Sequence, residues 1–237
     1  MARLVKQILG KVSGAAGNVV FRNFGDENFI SSRRRRYKVQ KDFKLGGHKL
    51  KFYYSINLTK AVFKIKDFKE VWNKANMPGK RGYNRMISAN LKLLKDDVPS
   101  VGNIITPKGR ALLFDILELD NNGIKFSFGM AGLIKPPFVL TIVFMFFNPI
   151  EPGAALYDII HQCFPFNPER GEKLKNKNDN GKYVHSYAYS NTHQSGLAKY
   201  HNVILYAAVI GTSTIKGKKW WTSTVAVDLS ELRGMDI

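Results

Sequence analysis

The sequence predicts an α+β protein: an N-terminal β-hairpin and a helical segment, followed by an antiparallel β-sandwich. Three observations predict it. Apolar residues alternate on either side of a Gly-Asp pair early in the chain. They then recur at three- and four-residue spacing from about residue 46 to about residue 95, the period of a helix. From about residue 111 they fall in short runs separated by turn formers, the pattern of strands. The chain has 237 residues and 44% of them are hydrophobic, enough to bury a core, which excludes wholesale disorder.

Residues 1–45 read as a basic N-terminal arm. Gly10, Gly14 and Gly17 among small residues favour turns or close backbone packing. "NVVFRNF" and "ENFISSR" flank "GD", a hairpin signal. Arg33, Arg34, Arg35 and Arg36 extend the second strand, where side chains alternate between faces.

Residues 46–107 read as helical. Ile56, Lys60 and Phe63, then Phe68, Val71 and Trp72, keep helical spacing, with Asn57 a cap or a break. Pro78 and Gly79 end this segment. A second helix places Tyr83, Met86, Ile87, Asn90, Leu91 and Leu94 on one face, with the lysines mostly off these stripes.

Residues 108–237 read as the β-sandwich domain. "RALLFDILELDNNGIKFSFG" is a hairpin with type I′ turn chemistry at "NNG". "FVLTIVFMFFNP" is a strand buried on both faces and stopped by Asn148-Pro149. "AALYDIIHQCF" fits a strand or a helix, and Asn167 to Lys182 is a polar loop. "YVHSYAYSN", "NVILYAAVIGT" and "KWWTSTVAVDL" complete a set of closely spaced strands. These strand signals are self-contained, so this part is expected to fold without the first half.

The net charge is +19 and sits almost wholly in the first half. Residues 1–110 hold 25 basic and 7 acidic side chains, and residues 111–237 hold 12 and 11. Such an imbalance favours a polyanionic partner: nucleic acid, an anionic membrane face or an acidic protein. The single Cys163 excludes an intramolecular disulfide framework. Lys6, Gln7 and Lys11 interrupt the apolar N-terminus, so no signal peptide is read and synthesis in the cytoplasm is expected. The longest apolar run, Phe138 to Phe147, is too short for a transmembrane helix, which needs about 20 residues.

No catalytic pattern stands out, and the reading is of a protein that is not an enzyme and needs no cofactor. No G-x-S-x-G, Walker or dinucleotide fingerprint is present. His161 and Cys163 would share one strand face, as two metal ligands or as a core pair. His185, His193 and His201 lie on separate elements, and Asp96-Asp97 reads as a solvated pair. Cations and aromatics interleave after residue 32, with Arg33–Arg36, Lys38 and Lys41 as polyanion-binding candidates.

The opening run with Ser13, Gly14, Gly17, Asn18, Val19 and Val20 resembles the start of a Bacteroidota family of unknown function, whose members carry an S-G-x-x-G-N-V-V-like segment. The middle, with Gly82, Tyr83, Asn84 and Asn90, is similar to that family's helical part. The tail, from the strand ending at Asn148-Pro149 to the last hairpin, is similar as well. The chain departs from the pattern at Arg33–Arg36 and around 155–182. The resemblance implies an N-terminal hairpin, a helical middle and an Ig-like β-domain, and it brings no catalytic residues.

The expected function is therefore structural: a self-associating subunit, such as a phage virion or fibre component. It would assemble as a homo-oligomer, or with other structural subunits, through Gly14, Gly17, Val19, Val20 and Phe21. The alternative is a basic protein that binds the phosphate backbone of nucleic acid without sequence specificity.

Overall fold

The computed structural model describes residues 2–3, 14–24, 27–32, 47–77, 81–130, 137–166, 182–212 and 219–230. Helices and antiparallel sheets make the chain an α+β protein. It forms two compact units, Met1–Lys44 and Leu45–Ile237.

In the first unit β1 (Ala2–Arg3), β2 (Gly14–Ala16), β3 (Val19–Phe24) and β4 (Glu27–Ser32) form an antiparallel sheet in the order β1-β4-β3-β2. β3 and β4 are the expected hairpin, with Phe24 opposite Glu27. The small-residue leader adds a further strand, because Gly17-Asn18 reverses the chain between Ala16 and Val19. Of these two turn residues only Gly17 has positive φ, at 57°. That is the glycine-first pattern of a type II′ turn, whose twist matches its strands.

The second unit holds α1 (Gly47–Val62), α2 (Lys66–Lys74), α3 (Gly82–Leu91) and two sheets. β5 (Leu112–Leu119), β6 (Gly123–Met130) and β9 (Tyr183–Ala188) form a three-stranded sheet in the order β5-β6-β9. β7 (Phe138–Pro149), β8 (Tyr157–Phe166), β10 (Tyr200–Thr212) and β11 (Lys219–Trp221) form the central sheet, in the order β11-β10-β7-β8. β12 (Val225–Asp228) pairs with β10 as well.

Alternation along β7 and β10 sets the layers. Phe138, Leu140, Ile142, Phe144 and Phe146 join Val203, Leu205, Ala207 and Val209 in a core shared with Leu112, Phe114, Ile124, Phe126 and Phe128 of the small sheet. The intervening Val143, Met145, Phe147, Ile204, Tyr206, Ala208 and Ile210 join a second core with the helices. There they meet Tyr54, Leu58 and Val62 of α1, Phe68, Val71 and Trp72 of α2, and Met86 of α3. Successive strand side chains point to opposite faces, so a continuously apolar strand demands a cover on each side. The expectation that β7 is buried on both faces is met by its burial pattern.

Several local expectations are corrected. Asn57 neither caps nor breaks: its amide donates to the Tyr53 carbonyl at 2.8 Å inside α1. The turn of the β5–β6 hairpin is not type I′, since neither Asn121 nor Asn122 has positive φ. The Asp120 carboxylate instead accepts the Asn122 and Gly123 N–H groups at 2.7 Å each, an alternative closure open to Asp at a turn. "AALYDIIHQCF" resolves as strand, with β8 paired along β7 from Phe166 opposite Phe138 to Tyr157 opposite Phe147. "KWWTSTVAVDL" is two strands, not one. At the break Arg110 forms a parallel bridge to Thr222, donating to the Trp221 carbonyl at 3.1 Å and accepting from the Ser223 N–H at 2.8 Å. A fourth helix, α4 (Asn191–Lys199), lies between β9 and β10 where no element was expected. Arg33–Arg36 lie outside the described residues, so their strand extension is not described.

The helical layer is locked to the sheets by buried polar groups. Asn90, fully buried, accepts the Ile104 N–H at 2.8 Å and donates to the Ile104 carbonyl at 2.9 Å. The Trp72 indole donates to the Ile105 carbonyl at 2.9 Å, and Thr224 Oγ1 accepts the Ile105 and Thr106 N–H groups, each at 2.9 Å. An apolar residue at 90 strands two backbone groups without water. Asn90→Leu should therefore lower stability by about 2–4 kcal/mol. A urea titration should show a lower midpoint at unchanged slope. An unchanged midpoint would mean that the connector 98–107 does not rely on this contact.

Candidate functional site

Two places in the chain bear on function: the N-terminal sheet, and the groups in the second unit with reactive chemistry. In the sheet, β3 pairs Phe21 with Ile30 and Val19 with Ser32, and β2 pairs Gly14 with Phe21 and Ala16 with Val19. Residues directly opposite in an antiparallel ladder share a face. Among side chains that the structure describes, one face therefore presents Ala16, Val19, Phe21, Ile30 and Ser32 and carries no charge. The other presents Ala15, Val20, Arg22, Phe29 and Ser31. The five residues expected to mediate assembly thus divide. Val19 and Phe21 share the uncharged face with Gly14, Val20 lies on the opposite face, and Gly17 makes the turn.

None of these residues is buried. Val19, Val20, Phe21, Phe29 and Ile30 are half-buried, and Gly14 to Asn18 are exposed. The predicted polyanion ligands Arg33, Arg34, Arg35, Arg36, Lys38 and Lys41 all lie outside the described residues.

In the second unit, His161 and Cys163 of β8 stand opposite Val143 and Thr141 of β7. Both fall on the helix side, as the strand period requires. Cys163 Sγ lies 3.7 Å from Thr141 Oγ1. Burial pushes the thiol up and pushes His161 down, with the Lys64 ammonium adding to the latter. A thiol held protonated is a poor nucleophile and a poor metal ligand. Among the described residues no group of three or more His, Cys, Asp or Glu is arranged to hold a metal ion.

His193 is buried on α4, stacked on Tyr189 and edge-on to Phe144 and Tyr187. Its Nδ1 lies 2.7 Å from Ser190 Oγ, while Nε2 is buried without a partner among the described residues. The contact joins residues three apart at the start of one helix, and among the described residues no carboxylate orients the ring as a relay would need. His185 on β9 packs against Phe126, Phe164 and Phe166. Asp96 and Asp97 both have positive φ, and Asp97 pairs with Lys51 at 3.1 Å.

A cavity of about 390 Å³ is lined by Glu151, Asp158, Lys199 and Tyr200 among others. The Tyr200 hydroxyl donates to Asp158 Oδ2 at 3.3 Å, and burial first, then Asp158, push its phenol up to about 12. A phenol so held donates hydrogen bonds rather than attacking a substrate. Neither the Ser190–His193 contact nor this cavity was visible in the sequence, because each is assembled by turns that carry no periodicity. Compared with family models, with curated proteins and with solved structures, the chain matches none. Among the described residues, no helix is long and apolar enough to cross a membrane.

The buried His193 and the half-buried His185 give the fold a pH dependence. Burial lowers both below the ordinary imidazole value. The unfolded chain therefore takes up protons first as pH falls below about 6.5, and stability drops from there toward the folded values. Between pH 7 and 5 the urea midpoint should fall, and His185→Phe with His193→Phe should flatten that fall. An equally steep fall in the double variant would assign it to the carboxylates.

Proposed function

We propose that this chain is a non-enzymatic structural subunit that assembles with copies of itself through its N-terminal sheet. One observation carries the reading: the uncharged face of Val19, Phe21 and Ile30, no member of which is buried. The edge strands are only two and three residues long, so the sheet has little of its own to stand on. A neighbouring copy covering this face would contribute about 1.5–3 kcal/mol for each large apolar side chain taken from water. A homo-oligomer is the simplest outcome, and a virion or fibre subunit, made in the cytoplasm and incorporated there, is the biological form of the proposal. The resemblance to the Bacteroidota family belongs to the same reading.

We read the sheet pair of the second unit as an Ig-like sandwich. Supporting this, the first, second and fifth strands of the unit share one sheet, while the third, fourth, sixth and later strands share the other. Crossing between two sheets in that order is how Greek-key sandwiches are connected. The fold by itself names no activity.

Light scattering of the purified chain tests the assembly reading. The full chain should be oligomeric, and residues 45–237 alone monomeric. Phe21→Asp should dissociate the full chain at micromolar concentration with its far-ultraviolet spectrum kept. A mass unchanged by both alterations would sink the reading.

A further inference from the structure

The basic face of the helical layer supports an inference that goes beyond assembly and does not depend on it. Residues 47–77 contain seven Lys and two acidic residues, Asp67 and Glu70. Both carboxylates lie on α2, and one lysine from outside the layer engages both. Lys219 of β11 bonds to Asp67 and lies 3.7 Å from Glu70. The Lys219 side chain is 17% exposed, against 35% for Asp67 and 36% for Glu70, so the ammonium is the sheltered end of the contact. Lys219 thus engages both carboxylates of residues 47–77 where α2 meets β11. Lys51 is taken by Asp97. Arg85 of α3 is also occupied: its guanidinium donates to the carbonyls of Trp72, Asn73 and Ala75 at the end of α2.

Lys49 is engaged as well, which leaves Lys60, Lys64, Lys66, Lys69 and Lys74. All five are exposed, and none has an ion pair or hydrogen-bond partner among the described residues. α2 turns Phe68, Val71 and Trp72 into the core, which leaves Lys66, Lys69 and Lys74 along its outer side. From Lys66 to Lys74 the helix rises about 12 Å. Phosphates of one strand advance about 3.4 Å each along the duplex axis, so three lysines over this length can meet separate phosphates.

We propose that Lys60, Lys64, Lys66, Lys69 and Lys74 form a surface that binds the phosphate backbone of duplex DNA without reading its sequence. A membrane fits less well. A helix that binds at a bilayer inserts an apolar face, and that face of α2 is already buried in the protein. Lysine suits the partner because it meets phosphate as a mobile point charge, giving affinity without base readout.

The test is fluorescence anisotropy of the full chain on two unrelated duplexes over a range of salt. Three variants are compared with the parent. One replaces Lys66, Lys69 and Lys74 by Ser, one replaces them by Arg, and one replaces Arg33 to Arg36 by Ser. Each phosphate neutralised contributes about −0.9 to the log–log salt slope, so the Lys→Ser variant should flatten the slope by about 2.7 on both duplexes. Lys→Arg should keep the parent slope, and the Arg33–Arg36 variant should keep the part that depends on α2. Circular dichroism should show all variants folded. The proposal is overturned if the parent does not bind duplex or if Lys→Ser leaves the slope unchanged. A loss of binding in Lys→Arg equal to that in Lys→Ser also overturns it. So does binding to phosphatidylserine vesicles in place of duplex.

Discussion

Everything in the second unit follows from one constraint: β7 and β10 pair over most of their length, and both are apolar on both faces. A sheet of this kind exposes two hydrophobic surfaces at once. Helices α1–α3 cover one and the small sheet covers the other, each through alternate residues of the same two strands. The strand period makes the division strict. A slip of one residue in either strand would exchange the two sets and put each against the wrong layer. The helices are thus part of the same packing problem as the sheets, although α3 ends some twenty residues before the first strand of either.

Apolar covering does not set the position of a layer, because hydrophobic attraction has no direction. Directional bonds do that here. Asn90 and Trp72 hold the connector 98–107 from the helix side, and Thr222 and Thr224 hold it from the β11–β12 side. The Tyr206 hydroxyl reaches the Ser100 carbonyl at 2.8 Å from the central sheet. Every one of these groups is buried or half-buried, where an unmade bond is costly. Close packing adds a second restraint at the end of β10. There a Cβ on Gly211 would lie 2.2 Å from the Trp220 ring, so only glycine lets that indole lie against the strand.

Charge and apolar surface are distributed unequally between the parts of the chain. The sheets of the second unit carry paired charges, such as Lys182 with Asp115 and Lys125 with Glu118. Among the described residues, the helical layer carries unpaired lysines, and the N-terminal sheet carries an uncharged face that is not buried. Surfaces left in these two states are suited to different partners, one polyanionic and one apolar. Neither requires the Cys163 thiol, the His185 and His193 imidazoles or the Tyr206 phenol, whose neutral forms burial favours.

The sequence by itself determined what depends on near neighbours. The β3–β4 hairpin, the helical stripe of Phe68, Val71 and Trp72, the double burial of β7 and the charge imbalance were all legible there, because each is a repeat or a count along a short stretch. Tertiary structure alone decided what depends on distant pairing. α4 was not legible: Gly196 weakens it as a helix, and it forms where His193 and Gly196 can be buried, the latter beneath the Phe146 ring. The break between β11 and β12 arises from the bridge to Arg110, and the β5–β6 turn from a side-chain bond that competed with the expected backbone form. The uncharged face of the N-terminal sheet needs its register, which periodicity leaves open. The two acidic residues of α2 are engaged by Lys219, which lies 152 residues from Asp67. Such a contact leaves no trace in local pattern, since its energy is realised only after the layers have packed.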